Sequence, residues 1–110
     1  MIETPMSGTH PIAVTLVHSL DKEEAVRRIK SGLARVRAKY PAELTVGEET
    51  WDKDRLAFRV AVLGQTTTGT IKVNERDVRV DVALSWLMAH QAGVAEALIR
   101  REGAAMLASG

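Results

Sequence analysis

The chain has 110 residues, 45% of them hydrophobic and 26% charged, which suits one globular domain and is too short for two ordinary ones. It has no cysteine, which excludes a disulfide scaffold, a thiol nucleophile and cysteine-ligated zinc. The formal charge of +1 is unevenly spread: residues 21–40 hold seven bases and three acids, residues 1–20 are net −1 and residues 41–110 net −2.

Residues 1–11, MIETPMSGTHP, lack the basic start and apolar centre of a signal peptide. They read as a flexible leader to a single domain over residues 12–110. PIAVTLVHS places Ile12, Val14 and Leu16 on one side, the pattern of a strand with one apolar face. Pro11 stands where a missing donor does no harm. Asp21, with Glu24 three residues on, reads as a capping box, and Leu20 as a staple onto Ala25. The helix that follows carries one apolar stripe of Ala25, Ile29, Leu33, Val36 and Tyr40. Gly32 inside it is either tolerated or allows close packing. Pro41 ends the helix.

ELTVGEETW is a weaker strand, interrupted by Gly47. After the turn DKD, RLAFRVAVL alternates, with Leu56, Phe58, Val60 and Val62 inward and Arg55, Ala57, Arg59 and Ala61 outward. Gly64 and Gln65 are expected to form the next turn. GQTTTGTIKV then has Thr67, Gly69, Ile71 and Val73 on one face and Thr66, Thr68, Thr70 and Lys72 on the other. After NERD, Val78, Val80, Val82 and Leu84 alternate with Arg79, Asp81 and Ala83. Four strands joined by short turns form an antiparallel meander, because a parallel return needs a long crossover.

A second helix is predicted from Trp86 to Ala108, capped by Ser85. Leu87, Val94, Leu98 and Ala105 form its central stripe; Met88, Ala92, Ala95, Ile99 and Met106 widen it, which implies deeper burial than the first helix. The expected architecture is α+β: a curved antiparallel sheet packed on two helices in the order β-α-β-β-β-β-α. It would be helix-grip-like, with the first strand beside the last.

Few residues suggest chemistry. Gly64 and Gly69 match the first spacing of a phosphate loop, but Thr70 and Ile71 stand where its lysine and hydroxyl belong, and a strand follows instead of a helix. His10, His18 and His90 do not converge on a metal site in the sequence, and HExxH is absent; separate structural or solvated roles are expected, with His90 either solvated or a buried, hydrogen-bonded residue near Trp86 or Trp51. Glu48 and Glu49 face opposite ways, Asp52 and Asp54 belong to a solvated turn, and Asp81 joins Arg79 in a surface charge lattice. No serine lies in a nucleophile elbow. The expectation is a non-enzyme with no catalytic residue, metal or cofactor.

The first helix presents Arg27, Arg28, Lys30, Arg35, Arg37 and Lys39, either simply solvated or touching an anionic surface or partner. Single-strand nucleic-acid recognition adds stacking aromatics, and with one Phe, one Tyr and two Trp no nucleic-acid partner is expected. No apolar run reaches the roughly 18 residues of a membrane span. Trp51, Trp86, Met88 and Ala92 are the candidates for apolar contact or for lining a cavity. Such a cavity would lie between sheet and last helix if Ala83, Gly69 and Ala92 underfill it, and would suit a small carrier of an apolar acid. A sheet edge or the last helix could also form a homodimer.

HSLDKEEAVRRIKSGLARV, followed by WDKDRLAFRVAVLGQTTTGTIKVNERDVRVDVALSWL, resembles the small bacterial polyhydroxyalkanoic acid system, or granule-region, proteins over about residues 12 to 107. The signs are the strand ending in His18 with its DKEEA helix start, Trp51 ahead of DRLAF, G-x-x-x-x-G-T-I-x-V, and LSWL. Relatives usually carry proline at the position of Ser85. The resemblance brings over no catalytic residue. It implies a cytoplasmic accessory role at polyester granules, through contact with the polymer or a granule-coat protein.

Overall fold

A computed structural model describes residues 9–108. β1, Thr9–Val17, leads through His18 into α1, Lys22–Lys39, and then come β2 Leu44–Asp52, β3 Arg55–Val62, β4 Gln65–Val73 and β5 Asp77–Ser85. A 3-10 helix, Trp86–Gln91, precedes α2, Ala92–Leu107. The strands form one antiparallel sheet in the order β1-β5-β4-β3-β2, so the first strand does lie beside the last. β1 begins at Thr9, inside the segment expected as leader; residues 1–8 lie outside the described residues.

Alternation decides which side of the sheet is dry. Ile12, Val14 and Leu16 of β1, Leu56 of β3, Thr67, Ile71 and Val73 of β4, and Val78, Val80 and Leu84 of β5 are buried on one face. Phe58, Val60 and Val62 point the same way but are only half-buried. α2 packs chiefly on β1 and α1, while α1 reaches β2 and β4. The helix therefore lies along one side of an open sheet, which does not curl round it, and the expected helix grip is not formed.

Local chemistry sets the element ends. Asp21 accepts a hydrogen bond from the Glu24 backbone N–H at 2.8 Å, so the amino-terminal cap of α1 is made. The reciprocal half of the capping box is missing, because the Glu24 carboxylate turns to Arg27 and Arg28. His18 is buried where β1 meets α1: its Nε2 lies 3.1 Å from the Asn74 carbonyl, and its Nδ1 accepts from the Leu20 N–H at 3.2 Å. The β2 register slips between Val46 and Glu48, where Gly47 forms an irregularity. The β3–β4 turn is Leu63–Gly64, one residue earlier than expected, with φ 51° and 83°. Two positive φ values are what a two-residue turn needs to match the twist of the strands it joins.

The last helix departs most from expectation. Trp86 to Gln91 is a separate 3-10 segment, capped by Ser85 through the Leu87 N–H at 3.3 Å. On α2 the residues turned to the core are Ala92, Ala95, Ile99 and Met106, all within the expected apolar surface, together with Gly103 and Leu107, while Val94 and Ala105 of the expected central stripe face water. The reason is distance. A β-carbon on Gly103 would run into the Leu16 side chain, and one on Gly32 of α1 would run into Met106. Only small residues allow so close an approach, so the packing side is the one with little bulk. The two helices bury comparable parts of themselves, and the expected deeper burial of the second is not seen.

Asp54, expected in solvent, bridges three elements. Its carboxylate lies 2.6 Å from Lys22 Nζ of α1 and 2.7 Å from Lys72 Nζ of β4. Hydrogen bonds from Lys22 and then Lys72 hold its carboxyl well below the usual carboxylate range. A depressed folded-state value stabilises the fold above the unfolded value, near pH 4, and that contribution fades as pH falls toward the folded value.

Two predictions follow from this packing. Gly69 sits opposite Phe58, and an added β-carbon there would lie 2.5 Å from both the Asp81 carbonyl oxygen and the Phe58 ring. Gly69→Ala should therefore cost ~1–3 kcal/mol in urea denaturation, whereas Gly93→Ala, with open space around the new carbon, should be neutral or gain up to ~1 kcal/mol. Asp54→Asn should lower the melting midpoint at neutral pH, and its gap from the parent should narrow progressively below about pH 4. A gap that stays constant through that acid range in circular-dichroism melts would contradict the bridge.

Candidate functional site

Two surfaces compete: the cations of α1, and the apolar residues that folding leaves in water. Most of the cations are engaged within the chain. Arg27 grips Glu24 with contacts of 2.5 and 2.6 Å, and Arg28 donates to the same carboxylate at 2.8 Å and to the Ala108 carbonyl. These two guanidinium groups, Arg27 first, pull the Glu24 carboxyl below its ordinary value. Lys30 stands 5.0 Å over the Trp51 ring, Arg37 pairs with Glu49 on β2, and Lys39 lies 3.0 Å from Glu102 of α2. The Lys39 ammonium likewise lowers the Glu102 carboxyl. Among the described residues, Arg35 alone of the six has no such pairing.

These pairings have a geometric cause. Glu49 lies opposite Phe58 and Trp51 opposite Leu56, so both side chains rise on the helix-bearing face toward α1. Glu48, paired across to Arg59, is directed to the other face, as the alternation required. Exposed ion pairs contribute little to stability, but each gives a cation a partner that an external anion must displace.

The four apolar candidates do not form one site. Trp51 lies on the edge strand β2 under Lys30, and Trp86 follows β5 at another part of the sheet. Met88 is buried and Ala92 packs against the core, so neither offers a contact surface. Trp86 does stand in water, 63% exposed, with Leu87 at 51% and Val94 at 68%. Val17, at 82%, closes β1, and Leu63, at 56%, tips the β3–β4 hairpin. Leu63 was missed by pattern reading. Its signal was the Leu-Gly pair between two alternating runs, which places leucine and not glycine first in the turn.

The space expected beneath the last helix is partly occupied. The Phe58 ring fills the volume that Gly69 leaves. Ala83 lines an open depression with Pro11, Ala13, Ala57, Thr68 and Thr70, on the face away from the helices. The Thr67 hydroxyl is buried without a hydrogen-bond partner. Its neighbour across the ladder is Val60, which gives it nothing to bond to.

Polar chemistry is scattered. His10 and His90 are exposed and His18 is spent on backbone groups, so of the two alternatives for His90 the structure shows the solvated one. No three His, Cys, Asp or Glu among the described residues are grouped to hold a metal. Asp81 is paired with Arg79 at 3.0 Å. No helix of the described residues is long and apolar enough to cross a membrane.

No curated protein and no solved structure matches the chain. A family model does, over residues 12–107, which takes in almost every element described above. The chain belongs to the family described as "Putative polyhydroxyalkanoic acid system protein".

Proposed function

We propose that the protein is a non-enzymatic accessory protein of polyhydroxyalkanoate storage granules, acting in the cytoplasm and held to the granule by apolar contact. Family membership supplies the setting. The observation that carries the mode of contact is the exposed Trp86–Leu87–Val94 flank, set against a basic helix whose charges are mostly paired inside the molecule.

The physical contrast is one of cost and gain. Moving a tryptophan and a leucine from water into an apolar surface is worth roughly 1.5–3 kcal/mol for each well-buried side chain. Bringing Arg27, Arg28 or Arg37 to an anionic surface first requires an existing carboxylate pair to open, and screening by salt limits what is recovered. The non-enzymatic part of the reading rests on how the reactive side chains are used: carboxylates in ion pairs, His18 on backbone groups, and hydroxyls dispersed over strands and caps.

Cosedimentation with granules from a polyester-making cell tests this reading. Reversing Arg27, Arg28 and Arg35 to glutamate should leave the bound fraction within about twofold, while Trp86→Ser with Leu87→Ser should weaken binding at least ~10-fold. Circular dichroism should show both variants folded. Release by charge reversal alone, or undiminished binding by both folded variants, would refute the apolar mode.

A further inference from the structure

Three exposed apolar side chains, Leu63, Trp86 and Leu87, belong to two neighbouring projections of the fold. The Ser85 hydroxyl donates to Gln65 Oε1 at 3.4 Å, which ties the end of β5 to the start of β4. The β3–β4 hairpin tip therefore emerges beside the start of the 3-10 helix, with Leu63 two residues before Gln65 and Trp86 directly after Ser85. The sequence around both projections is free of fixed charge. There is no Asp, Glu, Lys or Arg between Arg59 and Lys72, nor between Asp81 and Glu96.

Leu63 is the residue that folding alone does not account for. Its φ of 51° is a conformation that glycine or asparagine adopts far more readily than a leucine, and its side chain stays largely in water. A strained residue that gains little burial within its own chain marks a place where the side chain is used for something else.

We infer that the hairpin tip and the 3-10 helix are two prongs that insert together into the surface of an uncharged aliphatic polyester, with Leu63 and Trp86 as their points. The identity of that surface rests on the granule reading above; the prongs themselves rest on geometry. The lack of charge distinguishes the occupant. An anionic phospholipid surface is met by lysine and arginine beside the inserted residues, and neither segment has one. A water-excluding, uncharged surface asks that no ion be stripped of its water, and the two inserted segments themselves contain none; the acid that adjoins them is Glu43, which meets the base of the hairpin tip through its backbone carbonyl, accepting from the Leu63 N–H at 2.8 Å.

Trp51→Phe leaves Trp86 as the sole tryptophan and so as a local reporter. With particles of amorphous aliphatic polyester, its emission should shift to the blue and become protected from acrylamide quenching. In that background Leu63→Asn should weaken adsorption by ~10-fold and at the same time raise the urea midpoint, since asparagine suits the turn better. Opposite signs for adhesion and stability exclude misfolding as the cause. Unchanged adsorption of Leu63→Asn, a Trp86 that stays equally quenchable, or equal binding to vesicles of anionic phospholipid would overturn the inference. Adsorption to bare polyester without recovery on native granules would keep the prongs and remove the granule role. Granule association indifferent to Leu63→Asn would do the reverse.

Discussion

One face of this sheet has to be kept dry, and the helix that covers its β1 side can do so only by coming very near. Leu16 of β1 occupies the room over Gly103, and Met106 occupies the room over Gly32 of α1. That contact rejects bulk at Gly32 and Gly103, and the inner side of α2 is built from Ala92, Ala95 and Gly103 around Ile99, Met106 and Leu107. The consequence appears on the far side. Val94, which would serve as a core residue in a more distant helix, is left in water, as Trp86 and Leu87 of the preceding 3-10 helix are. Apolar side chains left in water are thus a by-product of tight packing on the opposite side of the helix.

Electrostatics tell a complementary story. The excess positive charge of α1 looked like a surface awaiting an anion, but the fold brings acids to it from remote parts of the chain: Glu49 from β2 to Arg37, Glu102 from α2 to Lys39, Asp54 to Lys22. These pairs orient the helices on the sheet more than they stabilise it, since exposed pairs add little. They also leave the charged and uncharged parts of the molecule well separated: Lys22, Asp54 and Lys72 gather round the β2–β3 turn, while the β3–β4 turn and the 3-10 helix carry no fixed charge.

What the sequence made legible was whatever depends on near neighbours. Period-two alternation in β1, β4 and β5 correctly marked Ile12, Val14, Leu16, Ile71, Val73, Val78 and Val80 as interior, and Asp21 correctly marked a cap. On α2 hydropathy gathered Ala92, Ala95, Ile99 and Met106 into the apolar surface but centred it on Val94 and Ala105, because the helix is apolar on several sides and the choice among them was made by Leu16 and Gly32, which lie far away in the chain. Asp54 was misread for the same reason: its two lysines come from positions 22 and 72, and a turn aspartate alone gives no hint of them. At Leu63 the error was one residue of turn phase. It concealed an exposed leucine at the hairpin tip, because a leucine in a left-handed conformation is a poor guess on propensity alone.

The sheet order carries a temporal consequence. Among the described residues β1 is synthesised before the other strands and pairs with β5 alone, the last of them to be made, after three intervening strands and a helix. While the ribosome is still extending the chain, Ile12, Val14 and Leu16 have no Val78 or Val80 to meet, although the β2–β4 hairpins can already assemble locally. The nascent protein therefore passes through a stage in which its amino-terminal strand is unmatched, and the final strand acts as the latch that ends that vulnerable interval.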